Sequence, residues 1–326
     1  MARTRERGWP ATPEPLPVPV VDNHTHLETV VTWRADGWTG PSAPSGTRSG
    51  AQSDEQSGAQ PELPGLVAHL ERAAAAGVPR MVQVGCDVGS VRWTDAVVRE
   101  HPSLVGAVAV HPNEAVLHAG VREVAPDGLE PDPQEWHAMP LDEALDLVAT
   151  TARGNPRIRA IGETGLDFFR AGPLGRAVQR EAFRAHVALA KELGLALQIH
   201  DRDAHDEVVE LLLRDGAPER TVFHCFSGDQ GLAQVAAEHG WFCSFAGPVS
   251  YPANEHLRAA ARALPVDLLL VETDAPYLTP HPWRGRPNAP YLLGGTVRAL
   301  AEARGQDLPE LCAALTRTTD QVYGPW

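Results

Sequence analysis

Short apolar runs recur along the chain, and most are followed by a stretch whose apolar residues have helical spacing. The runs are continuous rather than alternating, which is typical of strands buried on both faces of a parallel sheet. Eight of them are predicted to be strands: 16–22, 78–86, 104–112, 157–165, 195–201, 220–228, 240–247 and 267–276.

Amphipathic helices are predicted between these strands. In 62–76, Leu66, Leu70 and Ala73 share one face, and Gly77 marks the end. Eight β-then-α units predict the α/β class, as a single-domain (β/α)8 TIM barrel. A doubly wound open sheet is the alternative, but the first β–α turn has no GxGxxG, so nothing supports dinucleotide binding. The other helices are predicted over 176–193, 204–214, 230–239, 253–263, 291–304 and 308–320.

Three segments lie outside this pattern. Residues 35–61 are rich in Gly, Ser, Pro and Gln, and we predict that they form a mobile, low-complexity insertion after strand one. Residues 118–138 are also loop-like. Both follow a strand and precede a helix, which puts them on the barrel face where active sites are built, so either could cap its mouth. Residues 1–16 are predicted to be a flexible N-terminal segment, followed by the barrel domain over 17–326.

The composition narrows the class of protein. The net charge is −14, from 28 basic and 42 acidic residues. This argues against coating nucleic acid or lying on an anionic membrane, which need a broad basic face, but it allows a local site for a short nucleic acid. The N-terminus lacks the apolar stretch of a signal peptide, and no run approaches the ~18 apolar residues of a membrane span. The four cysteines lack CxxC spacing and suggest free thiols, so we expect a cytoplasmic protein.

Imidazoles and carboxylates stand at the ends of five predicted strands. His24 and His26 follow strand one and, being two residues apart, point the same way. Because barrel strands present their carboxyl ends on one face, all six side chains should converge there. Burying these imidazoles and carboxylates together costs free energy unless a cation binds between them. The sequence therefore predicts a divalent-metal site. The other four members are Glu163, His200, His224 and Asp274, from strands four, five, six and eight.

Six ligands are enough for two divalent ions that share one carboxylate. Glu163 is the predicted bridge; His24, His26 and Asp274 complete one ion, and His200 and His224 complete the other. The excess of imidazole favours zinc or manganese, although availability can favour another ion such as magnesium. Two ions would polarise an electrophile and activate a water, whose proton Asp274 is placed to accept. Asp274 and Glu163 are therefore the predicted catalytic residues.

Six short motifs carry a resemblance to a known family: "DNHTHLE", "VHPNEA", "IGETGLDFF", "QIHDRDAH", "VFHCFSG" and "VETDAPYL". In this order, between about residues 19 and 323, they resemble the TatD family of metal-dependent deoxyribonucleases, within the amidohydrolase-like barrels. The resemblance implies a TIM barrel, a divalent-metal site and hydrolysis of phosphodiester bonds in DNA. It also implies metal ligands at the six positions named above.

The sequence departs from the family pattern in three places. Asn113 ends a His-Pro-Asn triplet where the family usually has His-Pro-His, so His111 remains a candidate substrate contact without the second imidazole. Asp201 stands where Asn, Ser or Thr is commoner, and an extra acid would weaken the binding of an anionic substrate. The segment 35–61 is longer than is usual in the family and would alter substrate access.

Positive and aromatic groups near the predicted site are candidate substrate contacts. A guanidinium group can bind two phosphate oxygens at once, and aromatic rings stack on bases. The alternative is that these arginines are ordinary surface residues and that the rings serve packing. The cationic candidates are Arg202, Arg284 and Arg286, and the aromatic ones are Trp283, Phe168 and Phe169.

Three functions are compatible with these observations. The first is a metal-dependent deoxyribonuclease, acting through a metal-activated water on DNA ends or short single strands, most simply as an exonuclease. The second is a dimetal hydrolase of a lactone, amide or other small ester, because the same chemistry attacks carbonyl groups. The third is a degenerate metal-binding scaffold, which the presence of all six ligand types disfavours. No obligate protein partner and no membrane association are expected.

Overall fold

A computed structural model of the protein describes residues 8–33 and 65–326. In this part of the chain, eight parallel strands follow one another in the order β1 to β8. A bridge between Thr25 and Ala275 joins the ends of the first and last strands and closes the barrel, which excludes the open doubly wound sheet. The strands are β1 (Val21–Thr25), β2 (Arg80–Gly85), β3 (Leu104–Val108), β4 (Ile158–Asp167), β5 (Ala196–Arg202), β6 (Thr221–Phe223), β7 (Phe242–Phe245) and β8 (Leu269–Val271).

Helices alternate with the strands and cover the outside of the barrel. The longest is α6, which begins with Pro173 in its first turn and ends at Gly194, a residue in the left-handed conformation that glycine adopts most readily. The helices are α1 (Leu27–Thr32), α2 (Leu66–Ala75), α3 (Val88–Glu100), α4 (Pro112–His118), α5 (Leu141–Gly154), α6 (Pro173–Leu193), α7 (His205–Asp215), α8 (Gln230–Glu238), α9 (Glu255–Ala263), α10 (Leu293–Arg304) and α11 (Leu308–Tyr323).

The apolar core has two layers, one on each side of the strands. Inside the barrel, small and branched side chains such as Val82, Val105 and Ala160 pack together, and Tyr323 of α11 packs against them. A larger cluster fills the space between the strands and the surrounding helices. The interior is therefore packed with side chains, and a substrate can be bound only at an end of the barrel.

Several element boundaries differ from the sequence prediction. The first strand was predicted over 16–22 but lies at Val21–Thr25, so it contains His24 instead of ending before it. The pattern did not identify α1, α3, α4 or α5. The beginning of α3 does carry a signal, because Asp87 accepts hydrogen bonds from the backbone of Gly89 and Ser90 as an N-cap.

The predicted insertion at 35–61 lies outside the described residues. Residues 8–16, which belong to the predicted N-terminal segment, lie against the barrel: Leu16 is buried, and the Trp9 ring contacts the rings of Trp33 and His69. All four cysteines are free thiols. None of the helices in the described ranges is long and apolar enough to span a bilayer.

Candidate metal centre

Four of the predicted ligands form a compact quartet at the carboxyl end of the barrel. His24 lies within β1, His26 directly precedes α1, Glu163 lies in β4, and Asp274 follows β8. The His24 and His26 Nε2 atoms are 3.3 Å apart. Glu163 Oε2 lies 3.6 Å from His24 Nε2 and 3.8 Å from His26 Nε2. Asp274 Oδ1 lies 3.9 Å and 3.5 Å from the same two nitrogens.

These distances are close to the spacing of ligands around one ion. Tetrahedral zinc has bonds of about 2.0–2.2 Å to imidazole nitrogen and carboxylate oxygen, which places neighbouring ligand atoms about 3.3–3.6 Å apart. The five separations that involve an imidazole nitrogen run from 3.3 to 3.9 Å, longer on average than direct hydrogen bonds. His24, His26 and Glu163 thus form a group able to hold a divalent ion, with Asp274 beside both imidazoles.

The other two predicted ligands meet on the second oxygen of Glu163. Glu163 Oε1 lies 2.6 Å from His200 Nδ1 and 2.8 Å from His224 Nε2. These are hydrogen-bond distances, shorter than the separations in the quartet. The structure thus brings all six predicted ligands together around one carboxylate, and an ion on this side would require the two imidazoles to exchange these hydrogen bonds for coordination.

Three of the four imidazoles have their second ring nitrogen on an oxygen acceptor. His26 Nδ1 lies 3.1 Å from Val84 O, and the carbonyl accepts the Nδ1 proton, which leaves a lone pair on Nε2. In their neutral forms, His224 and His200 can likewise donate to carboxylates: His224 Nδ1 is 3.0 Å from Glu272 Oε1, and His200 Nε2 is 3.2 Å from Asp167 Oδ2. Such outer acceptors orient the rings of metal-binding histidines.

The charges of the site shift the pKa values of its members. Burial alone would lower the pKa of His200, but its bonds to Asp167 and Glu163 raise it to about 9. Burial of His224 is likewise outweighed by Glu163 and Glu272, and its pKa lies well above the ordinary value. Burial would raise the pKa of Glu163, but the neighbouring imidazoles, His224 first, hold it well below its usual range. A divalent ion binding here would therefore displace protons from the imidazoles.

Four of the six side chains, those of His26, Glu163, His200 and Asp274, line a cleft with a volume of about 420 Å³. Its lining extends from His26 and Asp274 to the segment between α4 and α5, so residues 118–138 do contribute to the mouth of the barrel. The two guanidinium groups among its described lining residues belong to Arg170 and Arg202. Besides Glu163 and Asp274, seven carboxylates are among the described lining residues: Glu28, Asp87, Glu114, Glu123, Glu130, Asp132 and Asp167.

The predicted substrate contacts divide into two groups. His111 and Arg202 line the cleft; His111 Nε2 is 3.5 Å from Glu163 Oε1, and the Arg202 guanidinium lies 3.9 Å from the centre of the Phe169 ring. Arg284 and Arg286 are not among the lining residues. Arg284 stacks on the Tyr251 ring, and Arg286 donates to the backbone carbonyls of residues 8 and 9.

Phe168, Trp283 and Asp201 each contact another part of the protein. Phe168 packs under the Arg176 guanidinium, and Trp283 packs against the apolar core. Asp201 Oδ2 lies 2.7 Å from Nδ1 of His205, whose pKa is raised by this hydrogen bond. The Asp201 side chain is 5% exposed, so it is positioned as a partner of His205.

Asn113 occupies the position of the second imidazole in the family pattern. Its side chain donates to Asp167 Oδ2 at 2.9 Å and accepts from Gln179 Nε2 at 3.2 Å. Its backbone N–H donates to His111 Nδ1 at 3.1 Å. Asn113 thus joins the predicted substrate contact His111 to the carboxylate that contacts His200.

A second group of possible ligands lies on the outer side of the cleft. Glu114, His118 and His137 place ligand atoms within 4.8 Å of one another. However, the backbone N–H of Gln134 donates to His137 Nδ1 at 2.7 Å, so the neutral ring carries its proton on Nε2 and donates to Glu114 at 2.9 Å. This nitrogen is therefore not available to a metal, and the group is a hydrogen-bonded anchor.

The sequence analysis missed the carboxylates that contact the imidazoles. Glu272 precedes Asp274 by two residues, and Asp167 follows Glu163 by four, so both were present in motifs already considered. Strand alternation offers a signal for Glu272, because residues two apart share a face. Asp167 is recognisable only once the neighbouring strand β5 brings His200 beside it.

Comparison with known proteins places this geometry in a family context. A family model described as TatD related DNase matches residues 21–324. A metal-dependent hydrolase named TatD from Mycobacterium tuberculosis is 40% identical over 259 residues, which cover 78% of this chain and 89% of that protein.

Two further relatives agree with this match. A protein named 3'-5' ssDNA/RNA exonuclease TatD from Citrobacter rodentium is 32% identical over 265 residues, covering 78% of this chain and 90% of that protein. The crystal structure of YJJV, a TatD homologue from Escherichia coli k12, superimposes with a TM-score of 0.69 at 25% identity, covering 80% of this chain and 92% of that one.

Proposed function

Because the chain belongs to the TatD related DNase family of metal-dependent hydrolases, we propose that it cleaves phosphodiester bonds at the ends of DNA or in short single-stranded DNA. The observation that carries the proposal is the quartet of His24, His26, Glu163 and Asp274, whose ligand atoms have the spacing of a divalent-ion site. The name of the relative from Citrobacter rodentium supports the choice of nucleic acid and of exonucleolytic cleavage.

Two divalent ions are proposed, with Glu163 between them. The quartet would hold one ion, and Glu163 with His200 and His224 would hold the other. This donor set suits zinc or manganese, and magnesium is the third candidate. When bound, the ions supply electrophilic polarisation of the phosphoryl group and lower the pKa of water.

The protein's own groups orient the reactants and accept a proton. Asp274 is the proposed proton acceptor. Its backbone N–H donates a hydrogen bond to His24 O at 2.9 Å, and its φ is 54°. This backbone geometry holds the Asp274 carboxylate beside the first strand. The Nδ1 atom of His111 accepts a hydrogen bond from the Asn113 N–H, so the neutral ring carries its proton on Nε2. From Nε2, His111 would donate a hydrogen bond to a substrate oxygen. Arg202 lies in the lining and is the proposed contact for a phosphate oxygen.

A nuclease assay with end-labelled single-stranded DNA tests the proposal. Purified protein supplied with Mn²⁺, Zn²⁺ or Mg²⁺ is expected to shorten the labelled strand one nucleotide at a time. EDTA is expected to abolish this shortening. Glu163→Ala and Asp274→Asn are expected to lower kcat/KM by at least about 100-fold, because each removes a ligand. Asp320→Asn, which alters a half-exposed ion pair with Arg80, is the matched control and keeps full activity.

The same preparations distinguish the alternative ester substrates. Turnover of a lactone or a chromogenic carboxylic ester without any cleavage of DNA would replace the nuclease proposal by the small-ester hydrolase. Protein that binds none of the three metals and cleaves no substrate would contradict both and favour the scaffold.

A further inference from the structure

The outer part of the cleft is formed by residues 121–131, here called the cleft wall. Side chains in this segment alternate in exposure: the odd-numbered residues are half-buried and the even-numbered ones are exposed. Val121, Ala125, Leu129 and Pro131 line the cleft, whereas Val124 is 50% exposed. Glu123 and Glu130 of the same segment also line the cleft, and Glu123 accepts a hydrogen bond from the Gly175 N–H at 3.2 Å. The apolar part of the cleft wall therefore consists of Val121, Ala125, Leu129 and Pro131, in the same cavity as the proposed metal ligands.

Polar contacts fix the position of this wall and of the chain that follows it. The Asp127 carboxylate lies 3.2 Å from the Arg170 guanidinium, and the Ala125 N–H donates to Leu129 O at 3.0 Å. Beyond the wall, Glu114 of α4 accepts hydrogen bonds from Trp136 Nε1 at 3.0 Å and from His137 Nε2. The apolar surface is therefore anchored at several points, as a specificity-determining surface must be.

The charge around the cleft wall disfavours additional phosphates. Glu130 and Asp132 are exposed carboxylates that line the cleft beside Leu129. Of the two guanidinium groups in the described lining, that of Arg170 already faces Asp127, and that of Arg202 lies over Phe169. A second phosphate placed here would meet like charge, whereas an uncharged ring would gain contact with apolar atoms.

From this arrangement we infer that the cleft wall binds one uncharged ring attached to the scissile phosphodiester, such as a nucleobase face or an aryl group. The inference rests on the proposed phosphodiesterase function and adds its substrate class: diesters that place a single phosphate in the cleft with a flat apolar substituent beside it. Val121, Ala125 and Leu129 are the specificity-determining residues, and extended polynucleotide backbone is excluded from this part of the cleft.

A series of 4-nitrophenyl diesters tests the inference with leaving group and phosphate kept constant. The second ester group is methyl, phenyl or thymidine-5', and kcat/KM is measured with the Mn²⁺-loaded full chain. Burial of a ring predicts that the phenyl and thymidine diesters exceed the methyl diester by at least about ten-fold. A preference shared by both rings identifies a general apolar subsite, and one confined to thymidine identifies recognition of a nucleoside.

Two substitutions test whether the preference for ring-bearing diesters arises from the cleft wall. Leu129→Ser is expected to lower the ring-to-methyl ratio by about five-fold or more, mainly through a higher KM for the two ring diesters, and thermal unfolding checks that the variant folds. Ala125→Asp, which adds charge to the same surface, is expected to do the same. Val124→Ser, on the exposed side of the same segment, is the matched control and keeps the ratio of the unmodified protein.

The outcomes separate this inference from the proposed function. Hydrolysis of all three diesters at similar kcat/KM overturns the subsite and leaves the phosphodiesterase in place. A ring preference that survives both Leu129→Ser and Ala125→Asp overturns the assignment to the cleft wall. Absence of hydrolysis of every diester overturns the proposed function and this inference together.

Discussion

At the level of single side chains, the site depends on carboxylates that hold imidazoles in place. Glu272 is fully buried, and its Oε1 contacts both His224 Nδ1 and the backbone N–H of Cys225. Loss of its charge weakens the acceptor for His224 and lowers the basicity of the nitrogen that faces Glu163.

Glu272→Gln is therefore expected to weaken binding of Mn²⁺ or Zn²⁺ by about 10–100-fold. Isothermal titration of the metal-free protein measures this affinity, with thermal unfolding as a check that the variant folds. Glu255→Gln, which changes an exposed ion pair with Arg258, serves as the matched control. Unchanged metal affinity in Glu272→Gln would show that this contact has no part in the metal centre.

His186 gives the fold a dependence on pH that is separate from the proposed ligands. Its Nε2 accepts the N–H of Val110 at 3.2 Å, so the neutral ring donates from Nδ1 to Thr164. Burial lowers the pKa of His186 from 6.5 to about 4. Between pH 6.5 and 4, His186 is protonated in the unfolded chain but stays neutral in the folded protein. The free energy of unfolding therefore falls as the pH drops from 6.5 towards 4.

The contribution of His186 over this range is on the order of 3 kcal/mol. Urea unfolding at a series of pH values measures it, and His186→Gln is expected to unfold with a shallower loss of stability between pH 6.5 and 4. His256→Gln, at an exposed position on α9, should retain the full slope. Equal slopes in His186→Gln and the unmodified protein would contradict a buried neutral imidazole.

Chain geometry alone predicts which residues come together at the ends of the strands. The structure brings the six proposed ligands together because the carboxyl ends of barrel strands converge whatever their loops do, and their binding of metal stays a prediction. Arg284 and Arg286 were chosen for their position in a loop, which does not determine where a guanidinium points, and neither lines the cleft. Asp167 required knowledge of the β4–β5 register, which places Gly165 beside His200.

At the level of elements, α4 and the chain after the cleft wall are joined through one half-buried carboxylate, that of Glu114. Glu114 accepts hydrogen bonds from His137 and Trp136. Burial alone would raise the pKa of Glu114, but these hydrogen bonds, that from His137 above all, lower it. These charge-assisted bonds connect α4 to a 3-10 helix at Glu135–Ala138.

Glu114→Gln is expected to lower the free energy of unfolding by about 1–3 kcal/mol, because charged acceptors bind donors more strongly than neutral ones. Amide hydrogen exchange in residues 121–138 should become faster, while exchange in α6 stays unchanged. Glu135→Gln, at an exposed position of the 3-10 helix, is the control. Exchange in 121–138 that matches the unmodified protein would rule out this anchoring role.

The element prediction failed mainly at boundaries. Strands β6 and β8 have only three residues each, although the apolar runs that predicted them are much longer. Apolar residues continue into the segments after a barrel strand, and only inter-strand hydrogen bonding determines where the strand stops. Helices α3 and α5 were missed although Asp87 and the acidic first turn of α5 are ordinary start signals.

At the level of the whole molecule, the charge opposes a polyanionic substrate. The chain carries a net −14, and the described lining of the cleft holds more carboxylates than guanidinium groups. An enzyme of this charge repels a DNA strand at long range, and salt screens that repulsion.

We expect kcat/KM for a 20-nucleotide single strand to rise several-fold as NaCl increases from about 0.02 to 0.15 M, the reverse of a basic nuclease. Methyl 4-nitrophenyl phosphate, with a single charge, is the control and should respond much less. A fall in kcat/KM for the strand over this range of NaCl concentration would show that a local positive surface, and not the net charge, determines how the DNA strand associates with the enzyme.

The proposed metal centre consists of six side chains that would hold two ions on either side of Glu163. Anomalous diffraction from crystals grown with Mn²⁺ tests this directly. Two peaks are expected within bonding distance of Glu163, one beside His24, His26 and Asp274 and the other beside His200 and His224. A map that shows no peak near His24 and His26, in protein saturated with Mn²⁺, would contradict it.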